Sequence, residues 1–454
     1  MAKYKAYPEY KHSGVEWIDS IPSHWEVKPT FALCDASTKK NFDGAENNVL
    51  SLSYGNIIPR DVETNFGLLP ESFNTYQIVD NRDLILRLTD LQNDKNSLRV
   101  GLAKQKGIIT SAYLKLKAKD GMNPTFLYRL LHSYDTTKVF YGMGGGLRQS
   151  MKFEDFRRLP LLVPPKEEQL NISAFLDHET AKIDSLIEKQ QQLIELLKEK
   201  RQAVISHAVT KGLNPNVPMK ESGVEWLGEV PEHWRLKQIR HLCTFLGGGT
   251  PSKSNPDFWA GNIPWVSPKD MKFDYIFDAE DHISESAVKQ SSTKIIPVNS
   301  VLIVVRGMIL SHSVPVAINT NRVTINQDMK ALIPNFEISP EYLHLVLKGF
   351  KKSLLDLTDN SAHGTKCLKT ESFERMQIPL PPLHEQNKII FDMKELISKI
   401  DSLLNRQYEA TALLQERRTA LISAAVTGKI DVRDWVAPNS SEMANIEESP
   451  EVNA

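Results

Sequence analysis

The feature that most constrains the fold of this chain is an internal repeat. Residues 13–27 read SGVEWIDSIPSHWEV and residues 222–236 read SGVEWLGEVPEHWRL, at an offset of 209. A Pro-Pro-x-x-Glu-Gln motif that ends at Gln169 returns at Gln386, at an offset of 217. Repeats in solenoid proteins are only about 20–45 residues long, so a period near 210 residues indicates a duplicated domain.

The two copies agree in their outer parts and differ inside. The offset of 217 continues through residues 183–210 and 400–427, whereas residues 35–145 and 244–360 share little beyond composition. Each half is therefore predicted to be a repeated frame around its own insert. Two related halves in one chain also predict an internal pseudo-twofold, the single-chain analogue of a symmetric dimer.

Each half is predicted to end in a long helix. Residues 170–209 contain neither Pro nor Gly, and Gly212 then gives a stop signal. The equivalent stretch, residues 387–426, ends before Gly428. Spacings of four and three alternate in both stretches, which predicts a coiled-coil seam. The seam positions are Ile183, Ile187, Gln190, Ile194, Leu197, Arg201, Val204 and Ala208 in the first helix, and Ile400, Leu404, Gln407, Thr411, Leu414, Arg418, Leu421 and Ala425 in the second.

The two helices are expected to pair with each other. A twofold axis perpendicular to them makes the pair antiparallel, so Ile183 should approach Leu414 and Leu197 should approach Ile400. The polar seam residues leave two interpretations open. Their charged or amide ends either reach water at the seam edge, or they fix the register and orientation of the helices.

The inserts show a mixed α and β pattern. Residues 82–88, 107–116 and 300–305 are predicted strands, because they are short and rich in apolar residues. Residues 124–132 and 340–350 are predicted helices, with Asn123 and Ser339 as their N-caps. The fold class is therefore α+β.

Composition excludes several classes of protein. The chain carries 55 Lys+Arg against 56 Asp+Glu, which excludes a strongly basic nucleic-acid coat protein. Its longest apolar run is far shorter than the roughly 20 residues that span a bilayer, and the N-terminus lacks the apolar region of a signal peptide. Cys34, Cys243 and Cys367 form no C-x-x-C pair, which excludes a zinc ribbon and fits a reducing cytoplasm.

Motifs for catalysis are weak. Asp257, Asp270 and Lys272 resemble a loose PD…D-x-K nuclease pattern, in which two carboxylates hold Mg²⁺. The FLGGGT and NPDF pieces at residues 245–258 resemble fragments of an amino-methyltransferase, but they lie too close together for its doubly wound sheet. A self-sufficient nuclease or methyltransferase and a coiled-coil scaffold without a DNA role are the two rival hypotheses.

The inserts are mildly basic and carry loops suited to DNA. Residues 28–158 have 19 Lys+Arg and 14 Asp+Glu, and residues 237–375 have 16 and 14. Glycines would let the backbone approach phosphates, while Arg, Lys, Gln and Asn can read base edges; ordinary tight turns are the alternative. The candidate DNA contacts are Tyr54, Asn56, Arg148, Gln149, Lys152, Thr250, Lys253, Ser254, Lys366 and Lys369.

The repeated and inserted motifs together resemble one family. GVEW followed by P-x-H-W opens each half, GGGTPSKSNPDFWAGNIPWVS occupies residues 247–267, and PPxxEQ opens each long helix. In this combination the chain resembles the specificity subunits of type I restriction–modification systems, from Tyr7 to about Val436. The resemblance implies a first target recognition domain (1–168), a central spacer helix (169–212), a second target recognition domain (213–385), a C-terminal spacer helix (386–430) and an acidic tail (431–454) that we expect to be disordered.

The resemblance also implies function and partners. Each recognition domain would read one half of a split, asymmetric target in double-stranded DNA, and the antiparallel helices would space the two domains. The chain would be non-catalytic and cytoplasmic, and would serve defence against foreign DNA. Two methyltransferase subunits and further restriction/translocase subunits would carry S-adenosylmethionine, Mg and ATP. The GVEW segments and the Glu-Gln pairs (Glu168-Gln169 and Glu385-Gln386) would be candidates for docking these partners, although Trp17, Trp25, Trp226 and Trp234 could instead be core residues.

Overall fold

The chain forms two compact units in a computed structural model. The structure describes residues 4–36, 38–61, 72–91, 98–143, 150–360 and 365–436. Unit 1 combines residues 1–191 with residues 409–454, and unit 2 is residues 192–408. Both divisions fall inside the long helices, so each unit contains part of each helix.

Unit 1 is built on a four-stranded sheet with the strand order β4-β11-β8-β9. Its central strand β8 reads Leu-Ile-Leu and is buried throughout, as expected for a strand that is covered on both faces. The strands are β1 (Tyr10–Val15), β2 (Ile18–Pro22), β3 (Glu26–Pro29), β4 (Cys34–Asp35), β5 (Leu50–Ser53), β6 (Asn56–Pro59), β7 (Gln77–Val79), β8 (Leu84–Leu86), β9 (Val100–Leu102), β10 (Gly107–Ile109), β11 (Leu114–Ala118) and β12 (Pro160–Val163). The helices are α1 (Thr30–Leu33), α2 (Pro124–Thr136), α3 (Phe153–Phe156) and the first part of α4 (Lys166–Lys211), with a 3-10 turn at Val139–Gly142.

Unit 2 is built on a five-stranded sheet with the strand order β16-β23-β20-β21-β18. Here β20 reads Val-Leu-Ile-Val and is again wholly buried. The strands are β13 (Met219–Glu221), β14 (Glu229–Pro231), β15 (Arg235–Gln238), β16 (Cys243–Gly247), β17 (Ile263–Val266), β18 (Tyr275–Ile276), β19 (Asp281–Ile283), β20 (Val301–Val304), β21 (Val316–Asn319), β22 (Thr324–Ile325), β23 (Met329–Pro334), β24 (Thr358–Asn360), β25 (Lys366–Leu368) and β26 (Gln377–Leu380). The helices are α5 (Glu285–Gln290), α6 (Pro340–Gly349), α7 (Lys351–Asp356), α8 (Thr370–Glu374) and the first part of α9 (Leu383–Val426), with 3-10 turns at Ile239–His241, Pro256–Phe258, Pro268–Asp270 and Met308–Ser311.

The predicted elements of the inserts are largely confirmed. Asn123 caps α2 through the backbone N–H groups of Thr125 and Phe126, and Ser339 caps α6 through that of Tyr342. The predicted strand at residues 107–116 is wrong in one respect. A turn divides it into β10 and β11, which belong to different sheets.

Each insert is closed by a pair of antiparallel strands. In unit 1, β3 pairs with β12, and in unit 2, β15 pairs with β26. The chain therefore enters and leaves each insert through neighbouring strands, which explains how two different inserts fit one repeated frame.

The glutamine of each PPxxEQ motif joins the insert to its long helix. Gln169 is fully buried; its Oε1 accepts from the Asn123 N–H at 2.7 Å, and its Nε2 donates to the carbonyl oxygens of Gly121 and Pro164. Gln386 makes the equivalent bonds with the Ser339 N–H, at 3.0 Å, and with the carbonyl oxygens of Glu337 and Pro381. Both amides are thus used inside the protein, which contradicts their assignment to a partner-docking surface.

The glutamate of each motif also contacts side chains of the repeated frame. In unit 1, Glu168 accepts hydrogen bonds from Trp25 Nε1 at 2.8 Å and Tyr7 Oη at 3.0 Å, and it lies 2.5 Å from His24 Nε2. Burial and the Glu168 charge raise the pKa of Tyr7 well above its ordinary value. In unit 2, His233 Nε2 lies 2.8 Å from a carboxylate oxygen of Glu385.

The four frame tryptophans divide into two groups. Trp25 and Trp234 are fully buried, so the core interpretation is confirmed for them. Trp17 is half-buried against the Tyr134 ring, and Trp226 is exposed but packs edge-on against Phe350.

The long helices α4 and α9 pair along the predicted seam, and all sixteen seam positions are buried or half-buried. In unit 1, Ile183 lies in the same buried cluster on which Leu414 packs. Arg418 Nε donates to Asp184 Oδ1 at 2.7 Å in unit 1, and Arg201 Nε donates to Asp401 Oδ1 at 2.8 Å in unit 2.

These two ion pairs are equivalent, because the offset of 217 relates Asp184 to Asp401 and Arg201 to Arg418. In each unit an arginine of one helix binds an aspartate of the other, with a second contact from Nη2. The structure therefore favours the interpretation that the arginines fix register. It also confirms the α+β class, the duplication and the antiparallel helix pair.

The end of the chain differs from the prediction. The acidic tail was expected to be disordered from residue 431, but Val432 is buried and Trp435 packs on Phe175 and His178 in unit 1. The apolar side chains at these two positions fill the core beside the start of α4. Residues 437–454 lie outside the described residues.

We predict that the Arg201–Asp401 pair sets helix register more than it adds stability. Arg201→Ala should lower the free energy of unfolding by at most about 1 kcal/mol, because the pair is half-exposed. Arg201→Asp should cost more, since it opposes two carboxylates, and Arg201→Asp with Asp401→Arg should restore most of the loss. Urea unfolding measures these effects.

Arg406→Asp, an exposed position outside the seam, serves as the control and should leave the unfolding midpoint unchanged. A swapped pair as unstable as Arg201→Asp alone would contradict the register role.

Candidate nucleic-acid interface

In unit 1 the first candidate contacts lie on the turn of a hairpin. β5 and β6 pair around Tyr54 and Gly55, whose φ angles of 46° and 77° give a two-residue turn with both central residues left-handed. Tyr54 is 85% exposed, and Asn56 is exposed beside it. A Cβ on Gly55 would stand 3.2 Å from Leu98 Cβ, so the turn rests against the end of the loop that joins β8 to β9.

Lys152 lies at the other side of that loop. Met151 donates its N–H to the Leu88 carbonyl at 2.8 Å, and Lys152 is exposed at the start of α3. The structure thus places Tyr54, Asn56 and Lys152 around the β8–β9 connection. Arg148 and Gln149, the other candidates in this insert, lie outside the described residues.

A residue that sequence reasoning missed, Arg99, binds the start of this connection. Arg99 is fully buried, and its guanidinium donates to the carbonyl oxygens of Arg87, Thr89 and Asp90 at 2.8–3.2 Å. Arg99 Nε also donates to Tyr141 Oη at 3.2 Å. An arginine in a polar stretch gives no sequence signal of burial, so only the tertiary structure reveals this role.

In unit 2 the candidate Thr250 follows the glycine run. Thr250 Oγ1 donates to Gln327 Oε1, and the Gly249 carbonyl accepts from Trp265 Nε1 at 2.9 Å. Lys253 is exposed in the next turn, where the Ser254 hydroxyl bonds that of Ser252 at 2.8 Å.

The glycines of this run have a structural cause. A Cβ on Gly248 would meet the Asn326 carbonyl oxygen, and one on Gly249 would meet Ser292 Oγ. At these two positions the missing side chain makes room for other atoms of the protein, whereas the sequence analysis expected a phosphate there. Of the three glycines, only Gly247 has open space beside it.

Backbone hydrogen bonds connect the Thr250 loop with Lys366. The Asp328 carbonyl, next to Gln327, accepts from the N–H groups of Val305 and Arg306, and Gly307 N–H donates to the Lys366 carbonyl at 3.0 Å. One edge of the unit 2 sheet is therefore lined by Thr250, Gln327, Arg306 and Lys366. Sequence reasoning missed Gln327 and Arg306, which are exposed there, because their neighbours are distant in the chain.

Each insert has an edge of this kind, although the sequences of the two inserts differ. Leu368 N–H donates to the Val305 carbonyl at 2.9 Å, as Met151 N–H does to Leu88 in unit 1. Both partners are related by the offset of 217, so Lys369 is the counterpart of Lys152. Lys369 is also paired with Asp359 at 2.9 Å, with both groups exposed.

The edge in unit 2 carries several basic side chains. Within the described part of the chain, Lys253, Arg306 and Lys366 have no ion pair with a carboxylate. Phosphate groups could satisfy such cations, and the Arg306 and Gln327 side chains suit the donor and acceptor pattern of base edges.

One carboxylate that the rival nuclease hypothesis requires, Asp270, has a structural role. Asp270 Oδ2 accepts from the Ser267 N–H and hydroxyl, and Oδ1 accepts from the Glu280 N–H, so both oxygens stabilise a turn. Burial raises the pKa of the Cys34 and Cys243 thiols to about 12, which makes both poor nucleophiles at neutral pH. Among the described residues no cluster of three or more His, Cys, Asp or Glu could hold a metal ion, and none of the described helices has a stretch apolar enough to cross a membrane.

Comparison with known proteins gives consistent matches. A family model described as the type I restriction modification DNA specificity domain matches residues 231–411. The chain is 30% identical over 301 residues to the EcoR124I/EcoR124II type I restriction enzyme specificity subunit of Escherichia coli, covering 65% of this chain and 68% of that subunit. It is 32% identical over 195 residues to the MjaIX specificity subunit of Methanocaldococcus jannaschii, covering 42% and 43% of the two chains.

Solved structures show the same fold. A chain from a structure on complex assembly and conformational transition of the type I R-M system has a TM-score of 0.69 at 17% identity and covers 90% of this chain and 99% of its own length. The HsdS subunit from Thermoanaerobacter tengcongensis has a TM-score of 0.50 at 17% identity, covering 90% and 98%. With the two-unit fold and its paired long helices, these matches establish that the chain belongs to the specificity subunits of type I restriction enzymes, the sequence-specific DNA-binding subunits of restriction–modification systems.

Proposed function

We propose that each unit reads one half of a split, asymmetric target in double-stranded DNA, and that the chain itself is non-catalytic. The observation that carries this proposal is the pair of equivalent edges with different side chains. Unit 1 presents Tyr54, Asn56 and Lys152, and unit 2 presents Thr250, Lys253, Arg306, Gln327, Lys366 and Lys369 beside equivalent backbone contacts. Two unlike edges on one frame suit two unlike half-sites.

The remaining parts of the proposal concern other subunits. We infer that two methyltransferase subunits supply S-adenosylmethionine, that restriction/translocase subunits use ATP and Mg, and that the assembly works in the cytoplasm against foreign DNA. Methylation of a base inside a duplex requires that the base be flipped out. This chain would position the enzyme, and the partner would provide the pocket.

The exposed leucines on the long helices support docking of two copies of one partner. Leu186 and Leu413 are exposed in unit 1, and their equivalents at +217 and −217, Leu403 and Leu196, are exposed in unit 2. Each is between 43% and 65% accessible. A pair of exposed apolar side chains that recurs at equivalent positions of the two units indicates one docking patch in each unit.

We predict that exchanging residues 28–158 for the equivalent insert of a relative changes one half-site and leaves the other intact. The first join falls within β3 and the second falls just before β12, so the frame keeps β12 and its contacts. Mapping of methylated bases on genomic DNA, with the partner subunits present, would reveal the new target.

The reciprocal exchange of residues 237–375 is the matched control and should change only the other half-site. If either exchange altered both half-sites, or neither, the division of labour between the units would be refuted.

We predict that a four-residue insertion in both long helices changes only the spacing of the half-sites. Four residues add about 6 Å to a helix, which corresponds to one or two base pairs at roughly 3.4 Å each. The insertions belong between Gln191 and Gln192 and between Tyr408 and Glu409, where the units divide. The same methylation mapping should return unchanged half-sites with a longer gap.

An insertion in one helix alone is the control, because it shifts the helices out of register and should abolish assembly. Recognition of different bases by the doubly extended chain would show that the helices do more than set the gap.

We predict that Leu186→Glu with Leu413→Glu reduces the number of bound methyltransferase subunits from two to one. A carboxylate in an apolar contact leaves a desolvated charge, which should weaken docking at least tenfold. Native mass spectrometry of the reconstituted complex measures the stoichiometry. Leu196→Glu with Leu403→Glu should have the same effect in unit 2, and two bound partners in either variant would exclude these leucines from the interface.

A further inference from the structure

The unit 2 edge carries an apolar tip that the proposed function does not yet explain. The chain leaves β20 through Arg306 and Gly307, then forms the 3-10 turn Met308–Ser311. Met308 is 66% exposed and Ile309 is exposed beside it. Gly307 has a φ of +144°, a conformation that other residues rarely adopt.

This turn is held rigidly. Leu310 is buried in the unit 2 core, Ser311 Oγ donates to the Met308 carbonyl at 2.7 Å, and Gly307 N–H donates to the Lys366 carbonyl at 3.0 Å. The Met308 side chain therefore projects from a fixed backbone, so contact with a ligand would require little ordering of the turn.

The surroundings of the tip indicate what it contacts. Arg306 and Lys366 lie next to it in the edge, with Gln327 and Thr250 beyond them. Two acids lie nearby and both are bound: Asp328 Oδ2 accepts from Asn326 Nδ2 at 3.3 Å, and Asp359 is paired with Lys369. A ligand that suits both the cations and the apolar tip must combine negative charge with an apolar group. The major groove of DNA does so, because each thymine presents a 5-methyl group there among the phosphates.

We propose that Met308, supported by Ile309, contacts the 5-methyl group of a thymine in the half-site read by unit 2. The inference rests on the proposed DNA-reading function and names one specificity-determining side chain within it. Apolar contact with that methyl group distinguishes an A·T pair from a G·C pair at the same position.

Unit 1 offers an internal comparison. The offset of 217 that relates the Leu88 and Val305 carbonyl contacts places Asp90 opposite Gly307 and Leu91 opposite Met308. Leu91 is fully buried in the unit 1 core. The side chain at the equivalent position of unit 1 is thus unavailable for a methyl contact.

The test replaces thymine by deoxyuridine, which removes only the methyl group. After the half-sites have been assigned by exchange of residues 28–158 and 237–375, deoxyuridine is placed at each thymine of each half-site in turn. Affinity of the reconstituted methyltransferase complex is measured by competition binding. At one position of the unit 2 half-site, loss of the methyl should weaken binding about fourfold, since burial of one methyl-sized group is worth that factor.

The variants decide whether Met308 is responsible. Met308→Ala should bind thymine and deoxyuridine DNA equally well at that position, while Met308→Leu should keep the discrimination. Phe273→Ala, at a side chain that is 73% exposed, is the matched control and should discriminate like the wild type. Met308 is exposed, so the variants should fold, as circular dichroism would check.

Several outcomes would overturn the proposal. These are an unchanged thymine preference in Met308→Ala, no deoxyuridine effect in the wild type, or a unit 2 half-site made only of G·C pairs. A rise in 2-aminopurine fluorescence that depends on Met308 would instead assign the side chain to insertion between base pairs. If the domain exchange failed to change the half-sites, the DNA-reading function itself would be refuted. A negative deoxyuridine result would refute only the role of Met308.

Discussion

The structure depends first on the ion pair between an arginine of one long helix and an aspartate of the other. Arg418–Asp184 and Arg201–Asp401 are the same interaction made once in each unit. Leucines and isoleucines at a seam tolerate sliding by a heptad, since one apolar residue then replaces another. A two-point contact between a guanidinium and a carboxylate does not tolerate it. The apolar seam therefore supplies most of the stability of the helix pair, and the ion pairs select its alignment.

The parts of the fold that sequence could predict are those with local or periodic causes. The long helices follow from a heptad pattern, the caps Asn123 and Ser339 from residue type before an apolar helix, and the repeated frame from the repeat itself. The prediction that the frame's glutamines, Gln169 and Gln386, dock a partner is wrong. Polar residues at a helix start usually face water, and nothing local shows that Gln169 and Gln386 lie against the cap of another helix.

The candidate interface was predictable only in outline. Loop composition identified Thr250 and Lys366, but the residues between them, Gln327 and Arg306, arrive there through contacts between distant strands. Arg99 gave no signal, because three backbone carbonyls satisfy its guanidinium, and a sequence pattern does not show such contacts. Each insert nevertheless contains a sheet with one wholly buried inner strand, β8 in unit 1 and β20 in unit 2. A short apolar run is enough to specify such a strand. Surface loops, which pack against little, are free to differ.

The discontinuity of unit 1 has a consequence for biosynthesis. Unit 2 is one uninterrupted stretch, whereas the core of unit 1 needs Leu421, Val426 and Val432 from the far end of the chain. On the ribosome the middle of the protein can complete its core while the earlier-made portion still waits for its last helix. The N-terminal half thus emerges first and finishes last, with its apolar surface exposed to chaperones throughout that interval.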